Sequence, residues 1–393
     1  MVKSTHPYRL LQCFGLLSCL LLACRLSSLT PKQESEPTPI MTTTTSAVPQ
    51  ETFSLPAPLY YLSNGQIWRL SVDMQTQQQI TGESTPIDSF DTTPASGMLV
   101  YTSSNSLIIT DLDGSNRQVL RAGPVLTPIP DDLARLNDID HITSAIRTPV
   151  WSPDGKQIAF VENGLQVFDL ETNQVEQIWH QSLTSSEPYL VESALSWSPD
   201  GKHLLLSQYT YPIDTLGHRW LGVLELGGQL YMKIATATQA SFAWSPNAAD
   251  LYLANAAYGT DRSLMRCGLE TMQCQLIAEF EPARWYYHYA YPFVTAEERL
   301  LVFMGASDDP DRTPETFSLI NLSRDGFERT NLRSDGYFLD SAIWSLDGSG
   351  VLITLAQAAN EHPAGSTLWL NTSDGPAIPL PMMNTSNLRW GSP

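Results

Sequence analysis

Apolar and polar positions along this chain alternate in short runs, and helical periodicity of useful length is nearly absent. Within 156–180, "KQIAFVE", "LQVFDL" and "VEQIWH" each put every second side chain on one face, and "NG" and "ETNQ" separate them. Period-two runs punctuated by Asn-Gly and Asp-Gly read as antiparallel strands joined by tight turns. A further run ends in "WSP" at 151–153, just before the turn "DGK". Residues 151–180 therefore describe a four-stranded meander. The same phrase recurs as "WSPDGKHLLL" at 197, "WSPNAADLYL" at 244 and "WSLDGSGVLI" at 344. Weaker copies open at Thr92 in "TTPASGMLVY", at Tyr291 in "YPFVTAEERLLVF" and at Trp390 in "RWGSP". The openings fall about 50 residues apart, the period of a solenoid, propeller or array. One exception to the strand pattern is "DDLARLNDID" at 131–140, which predicts a short helix in an insertion.

A single meander cannot bury both of its faces, and packing the sheets radially against one another solves the problem while leaving only short edges. Units opening at 92, 151, 197, 244, 291 and 344 make six whole blades. Residues 58–81 supply the last three strands of a unit without an opening strand, and 387–393 supply an opening strand alone. The two fragments combine as one more blade. The expected fold is all-β: a seven-bladed β-propeller of four-stranded antiparallel blades, closed by pairing of its N- and C-terminal strands. In that frame Asp154-Gly155 and Asp200-Gly201 supply turn geometry. Trp151, Trp197, Trp244 and Trp344 supply large apolar bodies between blades.

"WSPDGKQIAF", with "DLDGSNRQVL" in a neighbouring unit, resembles the TolB-type propeller repeat, which is also seen in prolyl oligopeptidase propellers. The resemblance covers about 58–393. It implies a β-propeller, and for function it implies an envelope scaffold, a gate on a peptidase or occasionally a lyase.

The segment before the repeats changes the expected location. Lys3 and Arg9 precede an apolar run, Leu10 to Ala23, that is too short to span a bilayer. Residues 1–23 read as a secretory leader. "LLAC" at 21–24 resembles a bacterial lipobox, which implies lipid on Cys24 and a membrane tether without a spanning helix. Residues 24–56, rich in Ser, Thr, Pro and Glu, read as a disordered tether, and the propeller occupies 57–393. Of the five cysteines, Cys267 and Cys274 are left for the propeller. Aligning "SLMRCGLETMQCQLI" with "SLIITDLDGSNRQVL" sets them opposite each other across a hairpin, so a cross-strand disulfide is expected. A metal site is the alternative, for which a nearby His is missing.

The formal net charge is −19, with no basic stripe, so nucleic acid is not an expected partner. G-x-S-x-G, H-E-x-x-H and the Walker loop do not occur. Seven His are scattered over different units. A propeller could still gather some at its axis, as the resembling oligogalacturonate lyases gather metal ligands. Loop length is more informative. First and third turns are short and share one end of each blade, whereas long connections crowd the other end. That decorated end carries Tyr211, Tyr258, Trp285, Tyr287 and His288, the candidate ligand-binding residues. The alternative for "RWYYHYAY" is gap filling between blades. The expectation is a monomeric, non-catalytic binding or scaffold module for an envelope protein, peptide or glycan, with no cofactor or bound metal. The rival class is a polysaccharide lyase or hydrolase with an axial site.

Overall fold

The computed structural model describes residues 53–392 apart from 94, 96, 127–138, 181–188, 211–218, 228–230, 236–239, 255–263, 279–285, 310–313, 327, 360 and 374. Seven four-stranded antiparallel sheets succeed one another along the chain. Blade 1 spans 89–122, blade 2 147–180, blade 3 189–235, blade 4 241–278, blade 5 286–331 and blade 6 339–383. Blade 7 is composite. Its opening strand is Ser386–Trp390, and the strands Leu59–Ser63, Gln66–Leu70 and Gln77–Gln79 follow it across the sheet. Leu59 lies opposite Trp390 and Tyr60 opposite Arg389, the closure expected from the two fragments.

Burial runs outward across each blade. The second strands are almost wholly buried, as in Asp250–Ala254 and Gly350–Leu355. The fourth strands are largely exposed, as in Gln77–Gln79 and Arg329–Asn331. Opening strands of neighbouring blades meet, which sets them around the axis. The core is not one mass. Seven apolar clusters each lie between consecutive blades, from Val100 and Ile109 against Ile158 and Phe160 around to Tyr60 and Ile67 against Phe90 and Leu99.

The repeated phrase now has a physical account. Ser152 Oγ donates to Asp154 Oδ1 at 2.7 Å, and Asp154 Oδ1 accepts the Lys156 N–H at 3.1 Å. The Gln157 N–H donates back to Ser152 Oγ at 2.9 Å. The turns at 198–203, 245–250 and 345–350 repeat this wiring, with Asn247 standing in for Asp in one of them. In blades 3, 4, 6 and 7 the Trp indole ties the blade to the one before it. Trp197 donates to Val150 O at 3.2 Å, Trp344 to Tyr291 O at 2.9 Å and Trp390 to Trp344 O at 2.7 Å. Trp244 reaches the Ser196 hydroxyl instead, at 3.2 Å. Trp151 faces blade 1, where Thr stands in place of Trp, and its indole N–H is buried without a hydrogen-bond partner.

Third turns add a second link. Gly326, at φ +79°, and Gly114, at φ +88°, press against the outer strand of the preceding blade. A Cβ there would stand 1.8 Å from Ile277 O and 2.3 Å from Ile80 O, so only glycine fits. Cys267 and Cys274 are direct register partners in blade 4 and are disulfide-bonded, as the hairpin alignment required. Between blades 1 and 2 a helix spans Ile139–Ser144, and 131–138, where the pattern predicted a helix, lie outside the described residues. Its C-terminal carbonyls are satisfied by distant groups, namely Arg147 at Ile142 O, the Asn163 N–H at Thr143 O and Asn105 at Ser144 O. A local sequence pattern cannot register such partners.

Candidate binding face

Strand order decides which connections share an end. Opening strands run from the crossing end to the first turn, so first and third turns lie together, and second turns lie with the crossings. Between opening and second strands the chain needs only 152–156, 198–202, 245–249, 295–299 and 345–349. Between second and third strands it uses 211–218, 255–263, 308–317 and 356–365, against two residues each in blades 1, 2 and 7, and the crossing at 123–146 is longer still. The described architecture therefore has one plain end and one decorated end.

Tyr211, Tyr258 and Trp285 lie outside the described residues, as does Cys24. Tyr287 and His288 are described, and they belong to the opening strand of blade 5, Tyr286–Val294, rather than to the crossing before it. Tyr287 pairs with Ala306 and His288 with Gly305. His288 is 2 % exposed and is an interior residue of the blade, a correction to its expected position in a surface loop. Tyr289 is also buried, which pushes its phenol up to about 12. Tyr287 is half-buried, with the Arg329 guanidinium 5.4 Å from its ring centre, a cation–π arrangement. Tyr286 is 49 % exposed and offers aromatic surface at the start of the strand. The strand starts at Tyr286, one residue after the crossing ends, and strand alternation then fixes which rings turn outward.

The axial end of this face is polar, and its groups are engaged in holding the ring. Asp91 on blade 1 accepts Arg389 Nε from blade 7 at 2.9 Å and the Trp151 N–H from blade 2 at 2.9 Å. Burial pushes the Asp91 carboxyl upward against the opposing effect of Arg389. Thr148 Oγ1 accepts the Ala194 N–H at 3.1 Å, and Ser241 Oγ accepts the Tyr291 N–H at 2.7 Å. Each of these N–H donors lies at or beside a register shift in its own blade. A bulge releases a backbone N–H from the ladder, and here the preceding blade takes it up. Arg147 is half-buried and donates to Ile142 O and Val191 O, and desolvation lowers its pKa. Among the described residues, no group of three or more His, Cys, Asp or Glu is placed to hold a metal ion.

Seven radial four-stranded blades, two of them with the Trp–Ser–Pro–Asp–Gly turn and two with close variants of it, define a β-propeller whose repeat is similar to that of TolB. No family model matches the chain. A stretch of 79 residues is 33 % identical to the Tol-Pal system protein TolB of Alcanivorax borkumensis, covering 19 % of this chain and 17 % of that protein. The match thus spans about a sixth of that relative's length. Among solved structures, an oligogalacturonate lyase in complex with manganese aligns with a TM-score of 0.53 at 11 % identity, over 81 % of this chain and 82 % of the lyase. A functionally unknown protein from Desulfotomaculum acetoxidans aligns with a TM-score of 0.53 at 12 % identity, over 86 % of this chain and 99 % of that one. At these identities the likeness is one of fold. No helix among the described residues is long and apolar enough to cross a membrane.

Proposed function

We propose that this chain is an extracytoplasmic lipoprotein, tethered through lipid on Cys24, whose propeller binds an envelope protein, peptide or glycan without catalysing a reaction. The observation that carries this reading is the one-sidedness of the connections. Five residues suffice to turn each first hairpin at the plain end. Ordering longer loops costs conformational entropy that packing alone does not require. The decorated end is where such loops accumulate, together with Tyr211, Tyr258, Trp285 and the exposed ring of Tyr286. Aromatic anchors of this kind dominate binding energies at protein surfaces. The lyase reading has no comparable support, since the likeness to the lyase is one of fold.

Two experiments test the two parts. Cys24→Ser will move the protein from the membrane to the soluble fraction, and unchanged membrane association would refute the tether. For the face, an envelope fraction is screened for a partner, and Trp285 and Tyr211 are then replaced by Ala. Each change weakens binding by about 2 kcal/mol or more with melting unchanged. Intact binding in both variants, with loss when the 152–156 or 198–202 turns are altered, would assign the partner to the plain end.

A further inference from the structure

A second feature of the decorated end lies away from the axis, in the outer cleft between blades 1 and 2. It is a cavity of about 620 Å³, within the range of small-ligand pockets. Arg121, Ser144, Glu162, Asn163, Gln166 and Gln177 contribute most of its wall, and Pro124 and Val175 add a small apolar patch. The wall comes from six places in the chain: the fourth strand of blade 1, the crossing just after it, the end of the helix, and the second turn, third strand and fourth strand of blade 2.

The wall is held in place by its own bonds. Arg121 Nε pairs with Glu162 Oε2 across the two blades. Gln166 Nε2 donates to Glu162 O at 2.9 Å, and Gln177 Nε2 donates to Asn163 O at 2.8 Å. The Asn163 N–H donates to Thr143 O at 2.7 Å, and Asn163 itself sits at φ +50°. A site whose groups are already ordered loses less freedom when it is filled.

Its chemistry narrows the occupant. An apolar ligand would leave many polar groups desolvated and unpaired. A strongly charged ligand gains little, because Arg121 and Glu162 compensate each other. Three carboxamides, a carboxylate, a guanidinium and a serine instead suit a neutral molecule dense in donors and acceptors, with C–H faces for Pro124 and Val175. We propose that this cleft is a binding pocket for a neutral oligosaccharide. It is distinct from the aromatic rim and does not depend on what binds there.

Titration calorimetry on the full chain with maltotriose, cellotriose, tri-N-acetylchitotriose and, as the acidic comparison, trigalacturonate tests this. At least one neutral trisaccharide is expected to bind. Gln177→Ala removes an exposed carboxamide with little packing and is expected to weaken binding about three- to tenfold. Ser144→Trp fills the cleft and is expected to abolish binding, while Trp285→Ala leaves it unchanged. Thermal melting of each variant checks folding, and if Ser144→Trp does not fold, Gln177→Ala decides. The proposal is overturned if none of the neutral sugars binds, if only trigalacturonate binds, or if binding survives the pocket changes. Loss with Trp285→Ala alone would place the sugar on the rim and equally overturn it.

Discussion

Deleting residues 386–393 is expected to lower the melting temperature by at least about 10 °C and to promote aggregation. The deleted strand is the inner strand of blade 7, and its loss bares the edge of Leu59–Ser63. Leu388 and Trp390 are both buried, in the cluster that joins blades 6 and 7. Removing one large buried aromatic costs about 3–5 kcal/mol, and each kcal/mol shifts melting by about 2–4 °C in a domain of this size class. The strand also brings bonds that no other segment can replace. Arg389 holds Asp91, the Thr92 hydroxyl donates to Trp390 O at 2.6 Å, and Asn387 donates to Phe90 O at 3.2 Å. Without Arg389 the carboxylate of Asp91 is buried with only backbone donors. Exposed inner edges are templates for pairing with other chains, hence the aggregation. Differential scanning calorimetry with light scattering measures both effects. A truncated protein that melts with the parent would refute ring closure by this strand.

Arg333→Met is expected to destabilise the protein by about 1–3 kcal/mol, the cost of removing a buried charged donor from its acceptors. Arg333 follows the outer strand of blade 5, and its side chain is 1 % exposed. Its guanidinium meets Asp335 bidentately, Nε to Oδ1 at 2.8 Å and Nη2 to Oδ2 at 2.6 Å. It also donates to Asn371 O at 3.2 Å and Gly375 O at 2.6 Å in the third turn of blade 6. Met keeps most of the volume but leaves those carbonyls without this donor and Asp335 with only the Tyr337 hydroxyl. Arg333→Lys should recover little, because an ammonium cannot reproduce the planar fork. Burial raises the Asp335 pKa, but the bonds from Arg333 and Tyr337 outweigh it, and the net shift is downward. A lowered carboxyl contributes stability above its unfolded pKa and loses it as pH falls through the folded one. Arg333→Met should therefore flatten the acid limb of the stability profile. Urea unfolding from pH 7 to pH 3 reads both quantities, and parental stability with an unaltered acid limb would show that the staple is idle.

The parts of this fold legible in the sequence are those written locally and repeated. "WSPDGK" marks a turn whose hydrogen bonds all fall within six residues, so each copy announces a blade without knowledge of the others. Blade number, the composite seventh blade and the Cys267–Cys274 pairing follow from counting and aligning such copies. What stays hidden is contributed by single polar residues at no repeated position. Arg333 with 371–375, Asp91 with Arg389 and Trp151, and the Arg121–Glu162 pair each join residues from different blades. The rim was half legible. Aromatic crowding marks the segment around 285–289, but which rings face outward depends on where the strand begins, and that start is set by pairing with Ser307.

Closure by Ser386–Trp390 also constrains how the molecule is made. That strand leaves the ribosome after every other described strand, yet its partners include Leu59, among the first to emerge. Until then blade 7 lacks its inner strand, and the nascent chain can be no more than an open arc with an apolar flank at each end. Thr92 must find Trp390 across 298 residues. The entropy of so long a closure grows only slowly with length, but contacts this distant in sequence form late. Ring closure thus waits for the last of the described strands to be made, whatever the earlier blades have already formed.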